Sequence, residues 1–397
     1  MESQDYILRE QRSFLQTYKR YKIVIREARG ARVFTEDGEE YLDFLAGIAV
    51  NALGHCHPAV MQAVGEQLGK YMHVSNYFYQ PAQINFVETL LRLSGFDRAF
   101  LTNSGTEATE GAMKLARKWG SENGKSIIYG FTGGFHGRTY GALSIMDKPQ
   151  YKLGMGPFLE NCGVLPHNNV AALREKVNEN TAALFLEFVQ GEGGLTVAEP
   201  DFIRAIMELR EKYGFLLVAD EIQAGTGRTG KFNAFDHYGI KPDIAISAKG
   251  LGGGLPLGAI LVRENLAGVW STGEHGTTYG GNALACAAGG AVLKELEAGL
   301  LEKVDENGRY FGEQLENIVR DFPTLVEEAR GLGLMRGLKL KFDAGALVAE
   351  LLSRHVLTNA ASGTVLRIVP PLIITREDID LFCDRLRDAL TAVVIPQ

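Results

Sequence analysis

"LLVADEIQAGTGRTGKFNAFDHYGIKPDIAISAKGLGGGLPLGAILV", residues 216–262, decides the fold. It holds three short apolar runs, LLVAD (216–220), DIAIS (243–247) and GAILV (258–262), which read as buried strands. The first closes on Asp220, and the second is followed by Lys249 and a run of glycines. Lysine is rarely buried unless it is paired. In a desolvated pocket it loses part of its preference for the charged form and becomes a usable amine, a candidate Schiff-base nucleophile. A lysine that simply turns into water before a glycine loop is the competing reading. A strand-end aspartate likewise needs a partner, either a cationic ring nitrogen or a helix start to cap.

Outward from this stretch the pattern repeats. RAFLT (98–102), SIIYGF (126–131) and AALFLEF (182–188) are further strands, and "EPDFIRAIMELREKYG" (199–214) has the three-and-four spacing of an amphipathic helix. Strands alternating with helices predict an α/β fold with a mostly parallel central sheet covered by helices. Ligands of such sheets bind at the carboxyl ends of the strands. After about residue 282 the chain turns largely helical, with an interruption expected near Asn307–Gly308, then "TVLRIVPP" and a closing helix from Arg376. The expected division is an N-terminal hairpin arm (1–48), a large α/β domain (49–290) and a smaller α+β domain (291–397) with which the arm packs.

Composition narrows the function. The 397 residues carry a net charge of −7, with 46% hydrophobic and 22% charged residues, so neither nucleic acid nor an anionic membrane surface is an expected partner. No apolar run reaches about 18 residues, so no membrane span is expected. "MESQDYILREQ" has no apolar segment of a secretory signal, and the four scattered cysteines show no metal spacing, so a cytoplasmic, reduced protein is expected. "GHCHP" (54–58) lacks a fourth metal donor and reads as a turn before a helix at Pro58.

The remaining strand ends carry chemistry. In "LTNSGTEATEGAMKLARKW", Ser104, Gly105 and Thr106 open a helix, which suits a phosphate as well as it suits an ordinary cap. In "FTGGFHGRTYG", Phe135 is placed to stack on a flat ring or to fill the core, His136 to support, and Arg138 to grip a carboxylate with its planar fork. Gln223 follows Asp220 closely enough to serve the same ligand. "QGEGG" supplies Glu192 and "VLRIVPP" supplies Arg367, a possible acid–arginine switch if the two meet; Thr277 and Thr278 in "HGTTYGG" offer hydroxyls to an anion. "GTGRTG" (225–230) matches a dinucleotide fingerprint in letters only, because no long helix follows it.

One lysine, one strand-end acid, a phosphate-type helix start, a stacking aromatic and two arginines form the inventory that pyridoxal 5′-phosphate demands. "NSGTEATEGAMKLAR", "GGFHGRTYGAL", "QGEGG", residues 219–259 and "HGTTYGGNALACAAG" together resemble the class III, fold-type-I, pyridoxal-phosphate-dependent aminotransferases over nearly the whole chain. "DFLAGIAVNALGHCHP" and "VLRIVPP" bring it nearest the acetylornithine aminotransferase subgroup. The resemblance implies a homodimer with shared active sites. It also implies ping-pong transfer of the δ-amine of N2-acetylornithine to 2-oxoglutarate, a step of arginine biosynthesis. Related donors are succinyldiaminopimelate, succinylornithine, ornithine and 4-aminobutyrate. By motif, Lys249 would carry the cofactor, Asp220 would face its ring nitrogen, and Gln223 its ring oxygen. Ser104, Gly105, Thr106 and, from the neighbouring subunit, Thr278 would hold phosphate. Phe135 would cover the ring, Arg138 would bind substrate carboxylate, and Glu192 with Arg367 would form the switch. Two departures stand out: Phe188 where the family has proline, expected to change little, and Ile48 where ornithine aminotransferases carry a tyrosine. An apolar Ile48 suits a donor whose α-nitrogen is acylated.

Overall fold

The structure is a computed structural model and describes residues 3–394. Its centre is a seven-stranded sheet in which Leu216–Asp220 lies between Thr181–Leu186 and Ile244–Ser247, parallel to both. Ile127–Phe131 and Cys162–Leu165 extend it in parallel on one side. On the other, Gly258–Val262 runs antiparallel to Ile244–Ser247 and to Arg98–Thr102. The strands Leu216–Asp220, Ile244–Ser247 and Gly258–Val262 are buried at every residue. That double-sided burial is why they read as unbroken apolar runs rather than alternating ones.

Helices Gly105–Glu122 and Pro200–Tyr213 cover the sheet, the latter through Phe202, Ile203, Ala205, Ile206 and Leu209. Its left-handed Gly214 (φ 62°) ends the helix and turns the chain into the next strand. A second, antiparallel sheet of Val326–Leu332, Met335–Leu340, Val365–Ile368 and Asn359–Ala361 forms near the C-terminus. Near the N-terminus Ile25–Arg29 and Arg32–Thr35 make the expected hairpin, and Glu40–Asp43 continues it. Val356–Leu357 from the far end of the chain then pairs beside Glu40–Asp43.

Two local expectations are corrected, and one strand was not foreseen. The N-terminal segment opens on a helix, Ser3–Ser13, before the hairpin. Cys162–Leu165 is an edge strand with only one fully buried residue, so its apolar signal is weak. The helical C-terminal stretch does not break at Asn307–Gly308: Leu301–Asp321 is continuous, and the irregularity sits at Leu296–Leu300, where Gly299 adopts φ 108°. Gly308 serves packing instead, since a Cβ there would lie 2.6 Å from the Gly333 Cα.

The GTGRTG segment forms turns, with no helix after it of the length a dinucleotide site needs. Its Arg228 is buried and donates to the carbonyls of Leu334 and Pro370, stitching the large sheet's loop to the C-terminal part. In the GHCHP turn, His55 Nε2 lies 2.7 Å from Asp43 Oδ2, and the helix Pro58–Leu68 begins at the proline. Among the described residues no cluster of His, Cys, Asp or Glu could hold a metal, and no helix is long and apolar enough to cross a membrane.

Candidate active site

The strand ends of the central sheet open into a cavity of about 470 Å³ lined by Ser104, Gly105, Thr106, Phe135, His136, Arg138, Glu187, Asp220, Gln223 and Lys249. A larger hollow, about 1120 Å³ beside Arg210 and Asp243, has no comparable set of converging groups. Ser104, Gly105, Thr106, Phe135, Arg138, Asp220, Gln223 and Lys249, singled out in the sequence, share this wall; the structure adds the geometry.

Lys249 follows Ile244–Ser247 in the left-handed region (φ 47°) at the start of a short helical turn, Lys249–Gly252. For a non-glycine residue that conformation costs roughly 1–3 kcal/mol, a strain typical of functional positions. The glycines behind it answer a packing demand. A Cβ on Gly253, itself at φ 58°, would lie 2.9 Å from the Val292 side chain. Burial, then the charge of Arg367, lowers the Lys249 amine to about 8, within reach of the neutral form.

Asp220 ends its strand 3% exposed. Its Oδ2 lies 2.6 Å from His136 Nδ1, and its Oδ1 accepts from the Ile222 N–H at 3.1 Å. Burial works against the charged form of His136, but the hydrogen bond and charge of Asp220, with Glu187 beyond, more than offset it and raise its pKa. Glu187 is also buried; its oxygens accept from Phe135 N at 2.8 Å and Gly191 N at 3.2 Å. Burial and then the Asp220 charge raise its pKa. One carboxylate thus ties the backbone of the Phe135 loop to that of the Glu192 loop.

At the start of helix Gly105–Glu122, Ser104 Oγ accepts only from Glu107 N, at 3.3 Å. The amides of Gly105 and Thr106, on the cavity wall, lie in the first turn, where a helix offers no internal acceptor. Thr106 Oγ1 lies 3.0 Å from Thr139 Oγ1. A Cβ on Gly105 would meet the Ile222 side chain at 2.8 Å, so only glycine fits there unstrained.

Glu192 and Arg367 do meet: Nη1 donates to Oε1 at 2.5 Å. Arg367 is 1% exposed and also donates to Asn359 Oδ1 (3.0 Å), Gly191 O (3.2 Å) and Gln223 Oε1 (3.4 Å). Burial opposes the charge on Glu192, yet Arg367 overrides it and holds the carboxyl below its usual range. Gln223 lies flat against Gly191, where a Cβ would come 2.5 Å from its carboxamide carbon.

Thr278 is the expected residue that this chain does not bring to its own cavity. It is exposed and lines a separate hollow with Ser75, Asn76, Tyr77 and Gln83. Its neighbour Thr277, on the wall of the same hollow, accepts from Asn103 of the Lys249 cavity. Ile48 is likewise off the cavity wall, which Val50 lines instead; it sits in a run of left-handed residues, Ala46 to Ala49. Phe188 is fully buried against Phe235 and Tyr238. Sequence reading missed Val50, Tyr151, Ile222, Leu255 and Asn359, which have no chemical signature outside their spatial setting.

The fold and this donor set define a transferase built for a phosphorylated aromatic aldehyde. A phosphate-ready helix start, a buried strand-end aspartate and a lysine whose pKa is lowered to about 8 share one wall, which fits pyridoxal 5′-phosphate. The family model described as aminotransferase class-III matches residues 14–390, and the chain belongs to that family. The chain is 43% identical to the acetylornithine aminotransferase of Methanocaldococcus jannaschii, over 99% of this chain and all of that one. It is 44% identical to the acetylornithine aminotransferase of Caldanaerobacter subterraneus subsp. tengcongensis, over 97% and 98% of the two chains. Among solved structures, the ornithine aminotransferase of Toxoplasma gondii superposes with a TM-score of 0.95 at 32% identity, covering 99% of this chain and 96% of that one. The acetylornithine aminotransferase of Elizabethkingia anophelis gives 0.86 at 31%, covering 98% and 99%.

Proposed function

We propose that the protein transfers the δ-amine of N2-acetylornithine to 2-oxoglutarate, forming N-acetylglutamate 5-semialdehyde and glutamate, as a cytoplasmic enzyme of arginine biosynthesis. Acetylornithine aminotransferases similar over nearly the full length support the donor. Pyridoxal phosphate, when bound, supplies the aldehyde that takes the amine and a ring that accepts electrons.

The chain's residues divide the remaining work. Gly105 and Thr106 amides with the Ser104 and Thr106 hydroxyls anchor phosphate. Asp220, held by His136, presents a negative charge to the ring nitrogen, and Phe135 and Ile222 border the ring's place. The Lys249 amine, with a pKa near 8, moves a proton at the carbon bearing the transferred nitrogen. Arg138 receives the donor's carboxylate, and the apolar wall of Val50, Leu255, Pro256 and Leu257 excludes water.

The observation that carries the substrate reading is the closed Glu192–Arg367 pair together with Arg138 on the cavity wall, with which no carboxylate pairs among the described residues. Closed, the site offers one free arginine, which suits the single carboxylate of N2-acetylornithine. Opened, Arg367 offers a second, which suits the diacid 2-oxoglutarate. A donor panel of N2-acetylornithine, ornithine, succinylornithine, succinyldiaminopimelate and 4-aminobutyrate, compared by kcat/KM, tests it. N2-acetylornithine leads if the reading is right. Leading ornithine would favour the second reading, supported by the likeness to the Toxoplasma gondii enzyme.

The same reading makes the protein a homodimer in which Thr278 serves the neighbouring subunit's phosphate site. The exposed Tyr77 (94%), Phe78 (65%) and Tyr79 (97%), close in sequence to the Thr278 hollow's Ser75 and Asn76, support such an interface. It also keeps residues 1–48 and 291–397 as one small domain, supported by the pairing of Glu40–Asp43 with Val356–Leu357.

A further inference from the structure

The two arginines of the site are held by different physics. Arg367 is buried and spends its donors on Glu192, Asn359, Gly191 and Gln223. Arg138 is exposed, and among the described residues no carboxylate pairs with it. Its guanidinium carbon instead lies 3.6 Å from the centroid of the Tyr151 ring and 5.8 Å from that of Phe135. The two rings meet edge to face, 6.1 Å apart at 85°.

We propose that Tyr151 is a positioning residue for Arg138, its ring face carrying the guanidinium while every N–H donor stays free for a substrate carboxylate. An acid in that place would orient Arg138 too, but it would neutralise the charge and compete with substrate. An aromatic face attracts the cation through its quadrupole and leaves the in-plane donors open. The backbone around Tyr151 suits this duty. It closes a short turn, Pro149–Tyr151, with Tyr151 N donating to Lys148 O at 3.1 Å. Lys152 Nζ donates to Met146 O at 3.1 Å beside it. The Phe135 contact joins this arrangement to the wall where a flat ring would stack, so the carboxylate receptor keeps a fixed distance from the reacting end.

The inference rests on the transaminase reading, and its test separates the two. Holoenzyme is compared as wild type, Tyr151→Phe and Tyr151→Leu. Dissociation constants are measured by calorimetry for N-acetylnorvaline, which keeps the acylated α-amino acid and lacks the transferable amine, and for glutarate. A cation–π contact of ordinary strength corresponds to about 2- to 30-fold weaker binding in Tyr151→Leu, with Tyr151→Phe close to wild type. KM for the amino donor should rise in parallel while kcat stays within about 2-fold, the mark of lost ground-state binding. In an Arg138→Gln background, Tyr151→Leu should add no further loss, because the ring acts only through Arg138. Unchanged binding in Tyr151→Leu, equal losses in Phe and Leu, or a full additional loss in the Arg138→Gln background would each overturn the proposal. If wild type fails to turn over N2-acetylornithine, the donor assignment falls, and the glutarate constants still decide the role of Tyr151.

Discussion

Glu192 Oε1 accepts from Arg367 Nη1 at 2.5 Å, joining two residues 175 positions apart beside Gln223 of the cavity wall. Asn359 lies directly across the strand from Arg367 and fixes its Nε, so the guanidinium stays put when Glu192 swings away. Glu192→Gln removes the closing charge. The donor's kcat/KM should fall by about 10- to 100-fold, corresponding to about 1.4–2.8 kcal/mol. KM for 2-oxoglutarate should hold or drop, because its receptor no longer has a competitor. Steady-state kinetics of both half-reactions check this; equal losses for both substrates would speak against a switch.

Glu187 lines the cavity and ties Phe135 N to Gly191 N. In Glu187→Gln one of those N–H groups faces an amide donor. A buried donor left without its acceptor costs about 1–3 kcal/mol. Denaturant unfolding should show a loss of that order, and the affinity for pyridoxal phosphate, followed by fluorescence quenching, should weaken with it.

Glu221 gives a pH signature. It is buried, accepts from Ala234 N at 2.8 Å and Phe235 N at 3.1 Å, and burial pushes its carboxyl up to about 8. From pH 4.5 to about 8 the folded state keeps a proton that the unfolded state has released, so its contribution to stability falls as pH rises. Glu221→Gln cannot titrate. It should be the less stable protein at pH 5, and the gap to wild type should close toward pH 8. Unfolding curves at both pH values, with a constant gap as the contrary result, decide it.

Lys249 has the opposite sign. Its folded pKa is lowered to about 8 from 10.5, so above pH 8 the fold sheds a proton that the unfolded chain retains. Stability of the cofactor-free protein should therefore rise from pH 8 to 10.5 relative to Lys249→Met, and the variant's advantage should be greatest below pH 8.

The strand ends were readable because parallel strands buried on both faces leave unbroken apolar runs, and Asp220 and Lys249 interrupt that grammar. The expected break at Asn307–Gly308 failed for a reason that sequence does not carry: Gly308 is small because Gly333 crosses it, 2.6 Å from where a Cβ would sit. Gly308→Ala should gain about 1 kcal/mol in helix propensity and still lose about 1–3 kcal/mol net through overpacking, read as a lower denaturation midpoint. Asn359 was invisible because strand register places it beside Arg367, and register is absent from a linear reading. Tyr151 was invisible because its partner, Arg138, is thirteen positions earlier and meets it only through a turn. Ile48 was read as a substrate-side residue because it matches a tyrosine position of ornithine aminotransferases, and the left-handed run around it brings Val50 to this chain's cavity wall instead.

The central claim is that the Lys249 amine is the one that binds the cofactor. The direct measurement is borohydride reduction of the protein mixed with pyridoxal phosphate, followed by proteolysis and mass mapping. The expected result is a single reduced pyridoxyl-phosphate adduct on the peptide containing Lys249, absent in Lys249→Ala. An adduct on another lysine, or a wild-type protein left unlabelled, would contradict the account.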